Sequence, residues 1–171
     1  LSIASMVFVI LLGASVFSLV FRGLGGENLL LRSVLPGDFA IETHFFFEPV
    51  SDFQIAGLVL YQDDGNFIQL GRAFCDVPEA CVGNGIYFDK ILDGGFADGN
   101  FGTNVNNLDE AYLRLERRGE TVRGLFSYEG ITWFEIGTHS IPTGFQVNGV
   151  GLTAHADIDT SDPNIPAEFD Y

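Results

Sequence analysis

The chain has 171 residues, enough for one domain with a substantial core and too few for two. Eight Lys and Arg stand against 23 Asp and Glu, a formal charge of −15, which denies the protein the basic face that phosphate binding needs and sets nucleic acid and anionic headgroups aside as partners. Seventeen Phe and 21 Gly with almost no lysine point to short strands joined by turns.

Residues 1–21, LSIASMVFVILLGASVFSLVF, carry no charge, proline or amide. As a helix they would extend ~32 Å at ~1.5 Å per residue, the thickness of a bilayer core. Arg22 is the first charge, and Gly23, Gly25 and Gly26 would end a helix there. The expectation is an apolar α-helix over 1–22, separate from the rest. A cleaved signal peptide fits less well, because the chain begins with Leu1 and lacks a basic leading stretch. The layout resembles the type IV pilin superfamily, including the archaellins; Ser5, where bacterial pilins carry Glu, shifts the likeness towards archaellins. The resemblance implies an extracellular, cell-surface filament of identical subunits, each held in the membrane before assembly. Leu1, Ile3, Val7, Val9, Leu12, Val16 and Val20 would form the polymerisation face. Small residues between them (Ser2, Ser5, Gly13, Ala14, Ser18) would let helices approach closely. Two alternatives stay open: a simple membrane anchor, and a first β-strand over 15–21, since SVFSLVF is rich in β-branched and aromatic residues.

From about residue 25 to 171 the pattern changes to apolar runs of five to eight residues with turn signals between them. Strands are expected over 38–48, 55–62, 66–74, 85–92, 111–118, 121–128, 132–136, 146–155 and 167–171. Asp63, Asp64, Gly65 and Asn66 form a hairpin turn between the second and third. No segment beyond residue 22 has helical periodicity. The fold class is mainly β: an antiparallel jelly-roll β-sandwich head behind one N-terminal apolar α-helix.

Cys75 and Cys81 flank a short loop, with no His nearby to complete a metal site. A disulfide is the expectation, and with it an oxidising compartment; two free thiols are the alternative.

The order LLLRSVLPGDFAIETHFFFEP, FQIAGLVLYQDDGNFIQLGR, AYLRLERRGETVRGLFSYEGITWFEIG, VGLTAHA and AEFDY resembles the concanavalin A-like C-terminal module of β-xylosidases. Ala56, Gly57 and Leu58 with the Asp63–Asp64 turn match that family's core strand. Tyr112 to Gly119 match its YLRLERRG segment. Ser127, Glu129, Gly130 and Trp133 match its S-x-D-G-x-x-W hairpin, with Glu129 in place of Asp. The family has further strands ahead of the LLLR segment, where this chain has its apolar stretch.

Candidate chemistry is sparse. No strand carries the E-x-D-x-x-E spacing of jelly-roll hydrolases, and His44, His139 and His155 are scattered, so no catalytic set is expected. A sugar platform would use Trp133 and Tyr112, with Tyr87 and Tyr128 as further aromatics; the competing role for Trp133 is to pack its hairpin onto the sandwich. Tyr112, Arg114, Glu116 and Arg118 share one face by period two. Calcium has a weak candidate in Asp98, Asn100 and Asn104, and a second in Asp157, Asp159 and Asp162; no other cofactor is implied. The expectation is a non-enzymatic filament subunit, and the alternative is a membrane-anchored, cell-surface carbohydrate-binding module with glycans as partners.

Overall fold

A computed structural model describes residues 17–18, 27–34, 36–77, 81–105, 108–155 and 165–170. Period-two patterning accounts for most of it. In β9, Glu110–Arg118, Ala111, Leu113 and Leu115 are fully buried while Tyr112, Arg114 and Glu116 face outward. Along β3, Phe39–Phe47, Thr43, Phe45 and Phe47 point in, and Glu42, His44 and Phe46 point out. Both strands belong to one sheet, ordered β1 (Phe17–Ser18), β13 (Ala167–Asp170), β3, β9, β10 (Thr121–Ser127) and β11 (Phe134–Ser140).

The second sheet runs β2 (Glu27–Arg32), β12 (Gly149–His155), β4 (Ile55–Asp63), β5 (Asn66–Ala73), β6 (Gly85–Leu92) and β7 (Gly95–Phe96); β8 (Phe101–Asn104) also pairs β6. Every pairing is antiparallel. The antiparallel sandwich expected from the sequence is therefore the fold.

Between the sheets, Phe45, Leu113 and Leu115 of the first meet Leu58, Leu60, Ile68, Leu70, Phe88 and Leu152 of the second. Each such side chain contributes roughly 1.5–3 kcal/mol by leaving water. β4 is buried from Ile55 to Leu60 because Leu58 and Leu60 fill the core while Val59 joins Phe67 and Ile91 in a smaller cluster on the outer side. Strand packing is close enough at Gly57 that a Cβ there would lie 2.1 Å from the Leu70 carbonyl oxygen, so only glycine fits.

The hairpin expected at residues 63–66 joins β4 to β5. Asp63 holds it by accepting hydrogen bonds from the Gly65 amide (3.0 Å) and the Asn66 side chain (2.8 Å). Glu27–Arg32, Gly95–Phe96 and Phe101–Asn104 are strands that the patterning did not single out.

One end of the sandwich is closed by Arg72, 1% exposed and pointing into the core from β5. Its Nε donates to the Leu108 carbonyl at 2.6 Å and its Nη1 to the Ala73 carbonyl at 2.8 Å and to Asn84 Oδ1. Nη2 reaches Asp109 at 3.4 Å.

The expected helix over 1–22 is corrected where it can be seen. Phe17 and Ser18 form β1 and pair antiparallel with Phe169 and Glu168. The β-branched and aromatic residues of SVFSLVF suit a strand, and the edge of β13 offers a row of backbone donors and acceptors to meet them. Leu1, Ile3, Val7, Val9, Leu12, Val16 and Val20, read above as a polymerisation face, lie outside the described residues. Among the described residues no helix is long and apolar enough to cross a membrane.

Cys75 and Cys81 are bonded, with Cα atoms 5.8 Å apart. The loop they close is short, so the bond should stabilise by only ~2 kcal/mol on the loop-entropy estimate. Cys75→Ser with Cys81→Ser should lower the unfolding free energy measured in guanidinium by that amount and leave the circular dichroism spectrum unchanged. A loss of the β signal in the double variant would show the bond to be essential for folding.

Candidate functional site

The outward residues of the first sheet form a polar and aromatic face. Its rows follow from register: His44 lies opposite Tyr112, and Glu42 opposite Arg114; on the next strand Arg123 lies opposite Glu116. The hairpin joining β10 to β11 folds back over β9. Ser127 Oγ accepts from the Gly130 amide at 2.9 Å, and Glu129 Oε1 accepts from the Thr132 amide at 3.0 Å. Glu129 thus caps this turn; the bonds it accepts from Thr132 hold its carboxyl below the usual range. Gly130 has φ 76° and sits so close to Tyr112 that a Cβ would lie 3.2 Å from the ring.

This fold-back lays Trp133 over the Arg114 guanidinium, 4.2 Å from ring centroid to Cζ. Arg114 also reaches Glu42 at 2.5 Å and Glu116 at 3.5 Å. Beside it, His44 and Tyr112 stack with centroids 4.5 Å apart and 25° between planes, and His44 Nε2 lies 3.0 Å from Glu110. Arg123 bridges Glu116 (3.4 Å) and Glu135 (2.8 Å). The Arg123 bond, with a second from Thr138, holds the Glu135 carboxyl below its ordinary range. A general acid needs the opposite shift.

Of the aromatics named from sequence, Trp133 and Tyr112 are brought to this face, set over adjacent outward positions of β9. Trp133 is partly buried: it packs on Arg114 and keeps some surface in solvent. Tyr87 lies on the second sheet, where its hydroxyl donates to the Gly83 carbonyl at 2.6 Å and burial raises its pKa. Tyr128 is exposed at the hairpin tip, edge-on to Phe126 and Phe134.

The three histidines do not converge. His44 is on the face just described. His139 is in the core beside Phe88 and Phe101 with Nε2 at 3.0 Å from the Phe88 carbonyl, and burial lowers its pKa. His155 lies on the outer side of the second sheet, 2.9 Å from Gln69 Oε1, with its pKa pushed down to about 4 by burial. Gln69 also bonds Asp89, a 7% exposed carboxyl that burial pushes up to about 7. This His155–Gln69–Asp89 series was missed in the sequence; its residues are spread over β12, β5 and β6, and the period-two pattern of those strands marks them as merely outward.

In the calcium candidate, Asn100 Oδ1 accepts from the Lys90 amide at 2.9 Å and Asn104 donates to the Val82 carbonyl at 2.9 Å. Both amides thus fasten β8 and its approach to β6 and Val82, Asn100 through its oxygen and Asn104 through its nitrogen. Asp157, Asp159 and Asp162 lie outside the described residues. Among the described residues no three His, Cys, Asp or Glu gather as a metal site.

Two antiparallel sheets around one core, with an aromatic and carboxylate-lined outer face, define a concanavalin A-like sandwich. Residues 20–171 match the family described as the β-xylosidase C-terminal concanavalin A-like domain, and the chain belongs to that family. Among solved structures it is similar to the GH43 BlXynB protein from Bacillus licheniformis (TM-score 0.69, 17% identity, 83% of this chain and 28% of that one). It is also similar to a xylan β-1,4-xylosidase from Bacillus halodurans C-125 (TM-score 0.56, 24% identity, 76% and 26%). A functionally unknown protein from Saccharomyces cerevisiae is matched over 82% of this chain and 69% of its own length (TM-score 0.58, 16% identity). At these identities the likeness shows the fold. The chain spans about a quarter of the length of the two bacterial proteins. No curated protein sequence matches it.

These findings overturn the filament-subunit expectation. The family match starts at residue 20, inside the supposed polymerisation helix, and Phe17–Ser18 is a sheet edge of the sandwich. An apolar stretch of bilayer length suggested the pilin layout, and Phe17 and Ser18 within it are strand.

Proposed function

We propose that the protein is a non-catalytic, glycan-contacting β-sandwich module of the kind that accompanies xylan-degrading hydrolases. The observation that carries this reading is Trp133, fixed over the Arg114 guanidinium beside the stacked His44–Tyr112 pair and ringed by Glu42, Glu110 and Glu116. Sugar rings present an apolar face of C–H groups and a rim of hydroxyls; an indole held in place meets the first and carboxylates accept from the second. Arg114 anchors the indole so that little side-chain freedom is lost on binding. Membership of a family described by β-xylosidases, and likeness to a xylan β-1,4-xylosidase, supports a β-1,4-linked xylose chain as the ligand.

The carboxylates on this face support a binding role over a catalytic one, since Glu42, Glu116 and Glu135 are engaged by Arg114 and Arg123. Asp89, raised towards neutrality, bonds Gln69 instead of facing a second carboxylate. The Cys75–Cys81 disulfide supports an extracellular location.

Titration calorimetry with xylohexaose tests the proposal. Trp133→Ala should weaken binding by at least about tenfold, equivalent to ~1.4 kcal/mol. The variant's melting temperature should change little, because the lost cation–π contact is worth only ~0.5–1 kcal/mol at a partly exposed site. Equal affinity in wild type and variant would reject this face as the contact.

A further inference from the structure

We infer that this face selects uncharged glycan chains and turns away chains that carry carboxylates. The inference rests on the glycan reading just given and concerns the same site. Six carboxylates project from the outer side of the first sheet: Glu168 and Asp170 of β13, Glu42 of β3, Glu110 and Glu116 of β9, and Glu135 of β11. The two arginines among them are already paired, and of their nitrogens the Arg114 Nε, which lacks a partner, is buried away from any ligand. Arg114 is held by Glu42 and Glu116, and Arg123 by Glu116 and Glu135. The His44 ring lies within hydrogen-bond distance of Glu110. Arg118 lies on the same side but four residues along the strand from Arg114, ~13 Å away at ~3.3 Å per residue.

A uronic acid is recognised by an arginine or lysine that offers two donors to its carboxylate. Near Trp133 such a group would have to break an existing arginine–glutamate pair. It would then stand among the displaced carboxylates within the ~8 Å over which charges act at physiological salt. Neutral hydroxyls meet no such penalty, because a glutamate oxygen that shares an arginine still has lone pairs for a hydroxyl donor. The arrangement therefore penalises a charge on the ligand while leaving sugar hydroxyls welcome.

The test compares two ligands of equal length on the intact protein: xylohexaose, and xylohexaose bearing one glucuronic acid branch. Each is titrated at low salt and again near molar salt, where screening shortens to ~3 Å. The decorated chain should bind about tenfold more weakly at low salt, and the gap should close at high salt. Glu116→Gln with Glu135→Gln, which frees Arg123, should narrow the gap at low salt by improving the decorated chain. Equal affinities at both salts, or tighter binding of the decorated chain, would overturn the selectivity and leave the glycan reading standing. Binding of neither chain would overturn both.

Discussion

Replacing Arg72 by alanine should destabilise the domain by about 3–5 kcal/mol, the range found when one partner of a buried, hydrogen-bonded charge network is removed. The side chain is 1% exposed, yet its guanidinium satisfies acceptors from three separate segments: the Ala73 carbonyl at the end of β5, Asn84 ahead of β6, and the Leu108 carbonyl ahead of β9. Alanine leaves these acceptors buried and unpaired, at ~1–3 kcal/mol for each that water cannot reach. It also opens a cavity where the side chain's methylenes packed. The ion pair with Asp109 is the lesser part, since that carboxylate is 35% exposed and stands 3.4 Å away. Burial pulls the Arg72 pKa down while Asp109 pushes it back up, and an arginine remains charged at neutral pH under such opposing effects. Arg72→Met separates the contributions: it restores most of the volume and none of the donors, so it should recover only part of the loss. Guanidinium unfolding of the three proteins measures this. A cost below ~1 kcal/mol for alanine would mean that water replaces the guanidinium and that this end of the sandwich is not closed by it.

Arg72 also shows where sequence reading ends. The fold class was legible because short apolar runs such as β3 and β9 recur with turn signals between them and because residues 63–66 spell a hairpin. Membership of the concanavalin A-like family was legible in the YLRLERRG and S-x-E-G-x-x-W segments. Yet nothing in FIQLGRAF distinguishes a solvated arginine from a buried clamp; apart from Ala73, its partners lie 12 to 37 residues away. The short strands Gly95–Phe96 and Phe101–Asn104 were hidden inside a glycine- and asparagine-rich loop whose composition signals turns. Residues 1–21 misled for a physical reason: an uncharged apolar stretch satisfies the length test for a bilayer helix equally well when part of it is a strand, and β propensity alone could not outweigh length. Trp133 and Tyr112 were legible as one candidate face, but the arginine that pins the indole was not, because cation–π contact is set by how the hairpin folds back, which spacing does not specify.

Replacing Asp89 by asparagine should stabilise the protein above pH 7 and do almost nothing at pH 4. Burial lifts the Asp89 pKa to about 7 from 3.8, with the Gln69 hydrogen bond pulling weakly the other way. Below pH 4 the carboxyl is protonated in both the folded and unfolded chain and costs nothing. As pH rises from about 4 to 7 the unfolded chain ionises while the folded one holds its proton, so stability falls through that window and stays low above it. Three pKa units correspond to roughly 4 kcal/mol, an order-of-magnitude figure for a group this buried. Asparagine keeps an acceptor for Gln69 and cannot ionise, so most of that amount should reappear in the variant at pH 8. His155 runs in the opposite sense. Its pKa is pushed down to about 4 from 6.5, so the unfolded chain takes up a proton first as pH drops, and stability is lost between 6.5 and 4. His139, lowered by burial in the core, adds to that slope. In the wild type the carboxyl and the imidazoles oppose each other across this window and the stability profile should be shallow. In Asp89→Asn the imidazoles act unopposed: stability should climb steadily from pH 4 to about 6.5 and then level off. Thermal unfolding of both proteins at unit steps from pH 4 to 8 gives the comparison. A constant offset between the two curves would mean that Asp89 titrates normally, and a less stable variant at pH 8 would mean that its charge is compensated in the folded protein.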